Sequence, residues 1–146
     1  MTTMLPQGHE TPSTHLPTAP PPQLMLEGVD ESVKAAREYA RKFVRYHLPD
    51  AGPDHTDDVV LVVSELVTNG IRYGAEPGDF VLVVLDADDR RTRVEVHDAA
   101  RRRPRRRPES VERGRGRGLF IVEALAIWGT GERPMGKYVW AEVRAK

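Results

Sequence analysis

Aliphatic residues dominate a stretch of helical length, residues 59–73, which reads VVLVVSELVTNGIRY. At about 100° per residue, its polar side chains fall on one stripe of the predicted helix. The stripe consists of Glu65, Thr68, Asn69 and Arg72. Glu65 and Asn69 are four residues apart, so their side chains are neighbours on successive turns. Most polar stripes are solvated outer faces, but this one offers a carboxylate, an amide oxygen and a guanidinium, and is therefore also a candidate binding surface.

A second helix is predicted before this one. After Asp30, a predicted N-cap, apolar residues recur at helical spacing over about 17 residues. They are Val33, Ala36, Ala40, Phe43 and Val44. The acidic run at residues 54–58 is predicted to cap the following helix, and Gly74 is predicted to end it.

Strand patterns occupy the rest of the chain. Residues 24–26 suggest a short edge strand, residues 80–85 form a continuous apolar run, and residues 93–98 and 137–143 alternate apolar with polar side chains. Residues 119–128 carry a helical pattern. Strands that follow one another across short turns argue against a doubly wound parallel sheet. The expected fold is α+β, a two-layer α/β sandwich with helices on one face of a mixed, mostly antiparallel sheet.

Two further segments could lie near the polar stripe. Period-two alternation places Asp98 on the same face as the valines of its strand. An inward carboxylate needs a donor, although Asp98 could instead cap the next loop, and the pattern leaves both open. Gly114, Gly116 and Gly118 alternate with arginine directly before an apolar helix. Glycines at a helix N-terminus suit an anion, phosphate above all, but the segment is neither a P-loop nor a Rossmann turn.

Length, charge and cysteine content limit the classes of protein to which this chain can belong. The 146 residues suggest one domain, with residues 1–22 as a disordered proline-rich tail and residues 23–146 as the folded part. Lys plus Arg and Asp plus Glu both number 22, and there is no cysteine, which excludes disulfides and thiolate sites. No signal peptide or membrane span is visible, so a cytoplasmic protein is expected. The arginine run at residues 101–107 is either a solvated loop or a lid over a ligand, with RNA or DNA binding as a minor alternative.

Taken together, these segments resemble the GHKL ATPase superfamily, which shares the Bergerat ATP-binding fold. Residues 65–73, ELVTNGIRY, resemble its N box, and Asp98 stands where the G1-box aspartate would be. Residues 114–122 resemble its G2 box, and residues 136–140 resemble the closing strand of small bacterial members. The order and spacing of several boxes make this resemblance more specific than any single motif.

The resemblance implies a site for ATP and Mg²⁺. Glu65 would be the catalytic base, the side-chain oxygen of Asn69 would hold Mg²⁺, and Asp98 would accept a hydrogen bond from the adenine amino group. The implied cofactor-binding residues are Asn69, Arg72, Asp98, Ala100, Gly114, Gly116, Gly118 and Leu119.

Size narrows the implied function, because larger members of the superfamily carry further domains. What remains resembles the anti-sigma-factor protein serine kinases, which phosphorylate an antagonist protein and regulate transcription by partner switching. The implied partners are a sigma factor and an anti-anti-sigma (antagonist) protein, and a homodimer is left open. The sequence departs from the family pattern at Ala100, where Gly or Ser is expected, at Arg117, often Leu, and at Tyr138, often Thr. These departures favour the alternative of a non-catalytic nucleotide-binding regulator.

Overall fold

A computed structural model describes residues 19–76, 78–99, 119–134 and 136–145. In chain order the elements are β1 (Gln23–Glu27), α1 (Ser32–His47), α2 (Pro53–Gly74), β2 (Phe80–Ala87), β3 (Arg91–Ala99), a short helix α3 (residues 119–125), β4 (Ile127–Arg133) and β5 (Gly136–Arg144). The tail boundary predicted at residue 22 stays a prediction, since residues 1–18 lie outside the described part. The carbonyl of Pro22 does accept a hydrogen bond from the backbone N–H of Leu85.

The five described strands form one sheet in the order β1-β2-β3-β5-β4, and every neighbouring pair is antiparallel. The inner face of the sheet is aliphatic because each central strand places every second residue there. These residues are Val81, Val83, Leu85, Val94, Val96, Val139, Ala141 and Val143, all buried. The predicted α+β two-layer sandwich is confirmed, with a sheet whose described pairings are antiparallel throughout.

The two long helices cover this inner face. α1 is amphipathic and buries its apolar stripe, including Ala40 and Phe43, against α2 and the sheet. α2 is buried on most sides, as its aliphatic sequence predicts, and lies over β3 and β5. Removing apolar surface from water on both elements is the main force that joins the layers.

The helix starts differ from prediction. α1 begins at Ser32, one residue after Glu31, and no side chain caps it, so the prediction of Asp30 as N-cap is wrong. Asp30 instead accepts a backbone hydrogen bond from Val33 in the preceding turn. α2 begins at Pro53, whose fixed φ suits the first helical position. Its acidic run supplies Asp54 to the first turn without a side-chain cap, and Gly74 is its last residue rather than the residue after it.

One strand was not predicted. The helical pattern at residues 119–128 stops at residue 125, and β4 begins at Ile127. Gly129 and Gly131 conceal this strand, because glycine is depleted in strands and breaks the apolar–polar alternation. Here the two glycines lie under the aromatic rings of Trp140 and Tyr138 on the neighbouring strand.

The outer face of the sheet, away from the helices, carries polar and aromatic side chains. His97 stacks on Tyr138 with ring centroids 4.6 Å apart, and the guanidinium of Arg93 lies 4.7 Å from the ring centroid of Trp140. Arg93 also donates a hydrogen bond to Glu95. Within the described residues, no helix is long and apolar enough to cross a membrane.

Candidate functional site

Two contacts fix how α2 lies on β3. Near the start of the helix, Nε2 of His55 is hydrogen bonded to Oγ1 of Thr92 at 2.9 Å. Near its end, the position of a Cβ on Gly70 lies 3.4 Å from a methyl carbon of Val96. α2 therefore runs in the same direction as β3, and its C-terminal turns lie over the end of that strand. A Cβ at position 70 would make ordinary van der Waals contact with Val96 and Val81.

The polar stripe of α2 follows the outward-facing side of the helix, where Leu61 and Arg72 are exposed. The adjoining flank, with Val60, Leu61 and Ser64, borders the groove between α1 and α2. Along the stripe, Asn69 lies nearest the sheet and is 8 % exposed, Glu65 is half-buried, and Arg72 is exposed. The stripe is thus a graded surface from a buried amide to an exposed guanidinium, rather than the fully solvated face that a polar stripe usually is.

Asp98 lies at the same end of the sandwich as this stripe. It pairs with Val81 across β2 and β3, and directly opposite residues share a face of the sheet. Val81 also contacts the Cβ position of Gly70. The Oδ1 atom of Asp98 is buried. The carboxylate is therefore on the inner face, beside the C-terminal turns of α2, which is one of the two placements that the sequence pattern left open.

Gly136 positions Asp98, and sequence reasoning missed this. A Cβ on Gly136 would lie 2.5 Å from the carbonyl oxygen of Asp98 and 3.7 Å from its Cβ. Only a glycine lets β5 begin this close to the end of β3. The glycine was visible in the sequence, but nothing there showed that its neighbour would be the backbone of Asp98.

The phosphate-binding part of the predicted site falls largely outside the described residues. Ala100, Gly114, Gly116 and Gly118 lie there, as do Arg117 and the arginine run at residues 101–107. Two residues of the following helix are described. Leu119 packs against the core, and Val122 is fully buried in it. α3 is therefore attached to the sandwich through the apolar residues that the helical pattern predicted.

Tyr138 does not share a face with the Asp98 side chain. It pairs with His97 and stacks on its ring on the outer face, whereas Asp98 follows Val96 on the inner face. The phenol, which departs from the Thr of the family pattern, is therefore on the other face of the sheet from the Asp98 carboxylate. The register decides this point, because the residue of β5 that reaches the inner face here is Val139, which pairs with Val96.

The other end of α2 carries a buried histidine. His55 is 4 % exposed, and burial lowers its pKa, while the backbone of Arg144 and the carboxylate of Asp58 act in the opposite direction. The neutral imidazole and Thr92 join the first turn of α2 to the start of β3. His55 thus holds the helix in register at the end away from Asn69 and Asp98, which is a structural role.

A family model described as the histidine kinase-like ATPase domain matches residues 27–127 of the chain. The matched range contains the polar stripe of α2, Asp98 and the glycine-rich segment. The chain belongs to this family. The predicted resemblance to GHKL ATPases is thereby confirmed at the level of the family. No curated protein matches the chain.

The chemistry of the described residues fits the ATP and Mg²⁺ that such domains bind. Asn69 and Glu65 can each present a side-chain oxygen, and oxygen is the ligand that a hard cation such as Mg²⁺ takes. The buried carboxylate oxygen of Asp98 is an acceptor, which matches the donor character of an exocyclic adenine amino group. ATP binding and a kinase-like regulatory role follow from the family, and the roles of individual residues are taken up below.

Proposed function

We propose that this protein is an ATP-dependent protein serine/threonine kinase that also acts as an anti-sigma factor. Its substrate is a hydroxyl of an antagonist protein, and its second partner is a sigma factor. One observation carries the proposal: Glu65 and Asn69, one turn apart on the flank of α2, lie at the same end of the sandwich as the inward carboxylate of Asp98. In a chain of the histidine kinase-like ATPase family, these are the groups that a nucleotide and a phosphoryl acceptor require.

Each group has a separate task in the proposal. The side-chain oxygen of Asn69, which is 8 % exposed, would hold Mg²⁺. Asp98 would select adenine by accepting from its amino group. Arg72, exposed at the end of the stripe, would add positive charge beside the phosphates. Leu119 would bound the site at the start of α3, after Gly114, Gly116 and Gly118.

ATP with Mg²⁺ would supply the γ-phosphoryl group and a neutralised leaving group. Glu65 would accept the proton of the substrate hydroxyl as its oxygen forms the new bond to phosphorus and the bond to the β-phosphate oxygen breaks. Half-burial of Glu65 leaves room for a hydroxyl from a second protein to reach it.

The test separates binding from transfer. Calorimetry with ATP and Mg²⁺ and phosphotransfer to candidate antagonist proteins are measured for the wild type, Asn69→Ala and Glu65→Gln. Asn69→Ala is expected to abolish Mg²⁺-dependent ATP binding. Glu65→Gln is expected to leave binding unchanged and to lower transfer by about 10²-fold or more, the usual contribution of a general base.

Asp57→Asn is the matched control, since it removes a carboxylate about two turns before Glu65, at the groove between α1 and α2, and should change neither quantity. Wild-type binding and transfer in both site variants would reject the assignment.

Ala100 favours an alternative function. Because it replaces the small Gly or Ser expected in the family, the protein could bind nucleotide and partner without catalysing transfer. Tight Mg²⁺-ATP binding by the wild type, with no transfer to any partner that it binds, would establish that non-catalytic regulator. We propose a cytoplasmic location for the protein, whether it is a kinase or a non-catalytic regulator.

A further inference from the structure

A groove lies along α1, beside the segment of the chain that leads into β1. Its volume is about 1110 Å³, which is large enough for a peptide segment, and most of the side chains that line it are apolar or aromatic. Ala35, Tyr39 and Tyr46 of α1 form one wall, and Pro20 and Pro21 form part of the other. The groove is far from the candidate ATP site, because its walls come from the first helix and the chain before the first strand.

One hydrogen bond shows how this groove holds the chain. The hydroxyl of Tyr39 donates to the carbonyl oxygen of Pro21 at 2.7 Å. Pro21 is the middle residue of three consecutive prolines, a sequence that favours the polyproline II helix. The carbonyls of such a helix have no partner within the helix itself, and grooves lined by aromatic side chains are a common way to bind it. One end of the groove therefore already holds a proline-rich segment.

The groove continues beyond this contact. It extends past Tyr39 to Tyr46 and Pro49, toward the C-terminal end of α1. Residues 28–31 reverse the chain between β1 and α1, so the segment before β1 runs antiparallel to α1. The chain that precedes Pro21 is thus directed along the same stretch of the groove. Ala19, where the described part of the chain begins, lines it.

We propose that residues 16–18 of this chain occupy the rest of the groove as a continuation of the polyproline II segment, with the carbonyl of Thr18 accepting a hydrogen bond from the hydroxyl of Tyr46. Tyr46 is 41 % exposed and offers a second phenol donor on the same wall as Tyr39. The two tyrosines are seven residues apart, which is about 10.5 Å along a helix. Thr18 precedes Pro21 by three residues, one polyproline II turn of about 9.3 Å, so both carbonyls leave the segment on the same side.

The sequence of this segment suits the groove. Proline fixes its own φ and restricts the residue before it to extended conformations. In residues 16–22, LPTAPPP, only Thr18 is neither a proline nor the residue before one. The segment therefore loses little conformational entropy when it binds. Leu16 and Pro17 would cover the exposed ring of Tyr46, which gives the contact its apolar part.

A spin label tests where the segment lies. The chain has no cysteine, so Thr14→Cys provides a single attachment site for a nitroxide, and the amide signals of the full chain are recorded by NMR without nucleotide. Strong paramagnetic broadening is expected at residues 45–51, at the C-terminal end of α1, and little on β3 and β5. Adding Tyr46→Ser to the labelled chain removes the donor and the ring, and should lower the paramagnetic relaxation rate at residues 45–51 several-fold.

Met25→Ser is the matched control. Met25 is 56 % exposed, like Tyr46 lies outside the buried core, and does not line the groove. Its replacement should leave the broadening at residues 45–51 unchanged. Since Tyr46 is exposed as well, its replacement is not expected to unfold the chain, and the amide spectrum of each variant verifies this.

Two additions distinguish the other possible occupants. In a mixture of spin-labelled chain with isotope-labelled chain that carries no spin label, residues 45–51 of the latter should not broaden; broadening there would assign the segment to a second copy. A synthetic peptide of residues 12–22, added in millimolar excess, should compete with the tethered segment and reduce the broadening. If the chain alone shows no localised broadening while the peptide shifts the signals of residues 42–48, the groove binds a separate proline-rich partner. Either of these results, or broadening that Tyr46→Ser leaves unchanged, would overturn the proposal.

Discussion

Replacing Gly136 by alanine tests the contact that positions Asp98. The new Cβ would lie 2.5 Å from the carbonyl oxygen of Asp98, whereas ordinary contact begins at 3.4 Å, so one strand must move by about 0.9 Å. The atom in the way is backbone, in a strand paired on both sides, and cannot rotate aside. Overpacking of this kind typically costs about 1–3 kcal/mol, and we expect the free energy of unfolding to fall by that amount.

The same displacement should weaken ATP binding. A hydrogen bond of about 2.9 Å that is stretched by 0.9 Å is no longer a hydrogen bond. Losing one to a charged acceptor costs about 1.5–3 kcal/mol, which corresponds to a rise of roughly 10- to 150-fold in the Kd for ATP. Calorimetry with ATP and Mg²⁺ measures the Kd, and urea unfolding measures the stability of the same preparation.

Gly131→Ala provides the matched control. Its Cβ would overlap the ring of Tyr138, a side chain on the outer face, in the same β4–β5 hairpin. Stability should fall, but the Kd for ATP should stay at the wild-type value. Gly136 does not position Asp98 for ATP if Gly136→Ala folds and binds ATP as the wild type does, or if Gly131→Ala weakens binding equally.

Two further predictions concern stability. Since burial lowers the pKa of His55, folding favours the neutral imidazole. The free energy of unfolding should therefore be at its maximum above about pH 6.5, the pKa of histidine in the unfolded chain, and should decrease below that pH. His55→Gln should remove this pH dependence of the free energy of unfolding, measured by urea unfolding at pH 5–7.5. An unchanged pH dependence would show that other groups cause it. Tyr39→Phe removes the 2.7 Å hydrogen bond that the hydroxyl donates to the carbonyl of Pro21 and should lower the free energy of unfolding by about 1 kcal/mol. A loss below a few tenths of that value would show that water replaces the bond.

The sequence by itself determined the elements whose side-chain period is unbroken. The alternation in residues 93–98 placed Asp98 with the buried valines, and the structure puts it there. The polar interruption of an aliphatic helix marked Glu65 and Asn69, because few other patterns put a carboxylate and an amide on adjacent turns. Local side-chain chemistry is enough for such predictions, since the period of a helix or strand is fixed by its backbone.

Only the tertiary structure decided what depends on register and on contacts between distant segments. The sequence did not predict β4, because Gly129 and Gly131 are not typical of strands. Only the structure shows that these glycines lie under the rings of Trp140 and Tyr138. Alternation left Tyr138 on either face of the sheet, and its pairing with His97 fixed the outer one. The meaning of Gly136 likewise required its distance to Asp98. Period two specifies two faces for a strand, but which face is buried is set by the neighbouring strand and the layer above it.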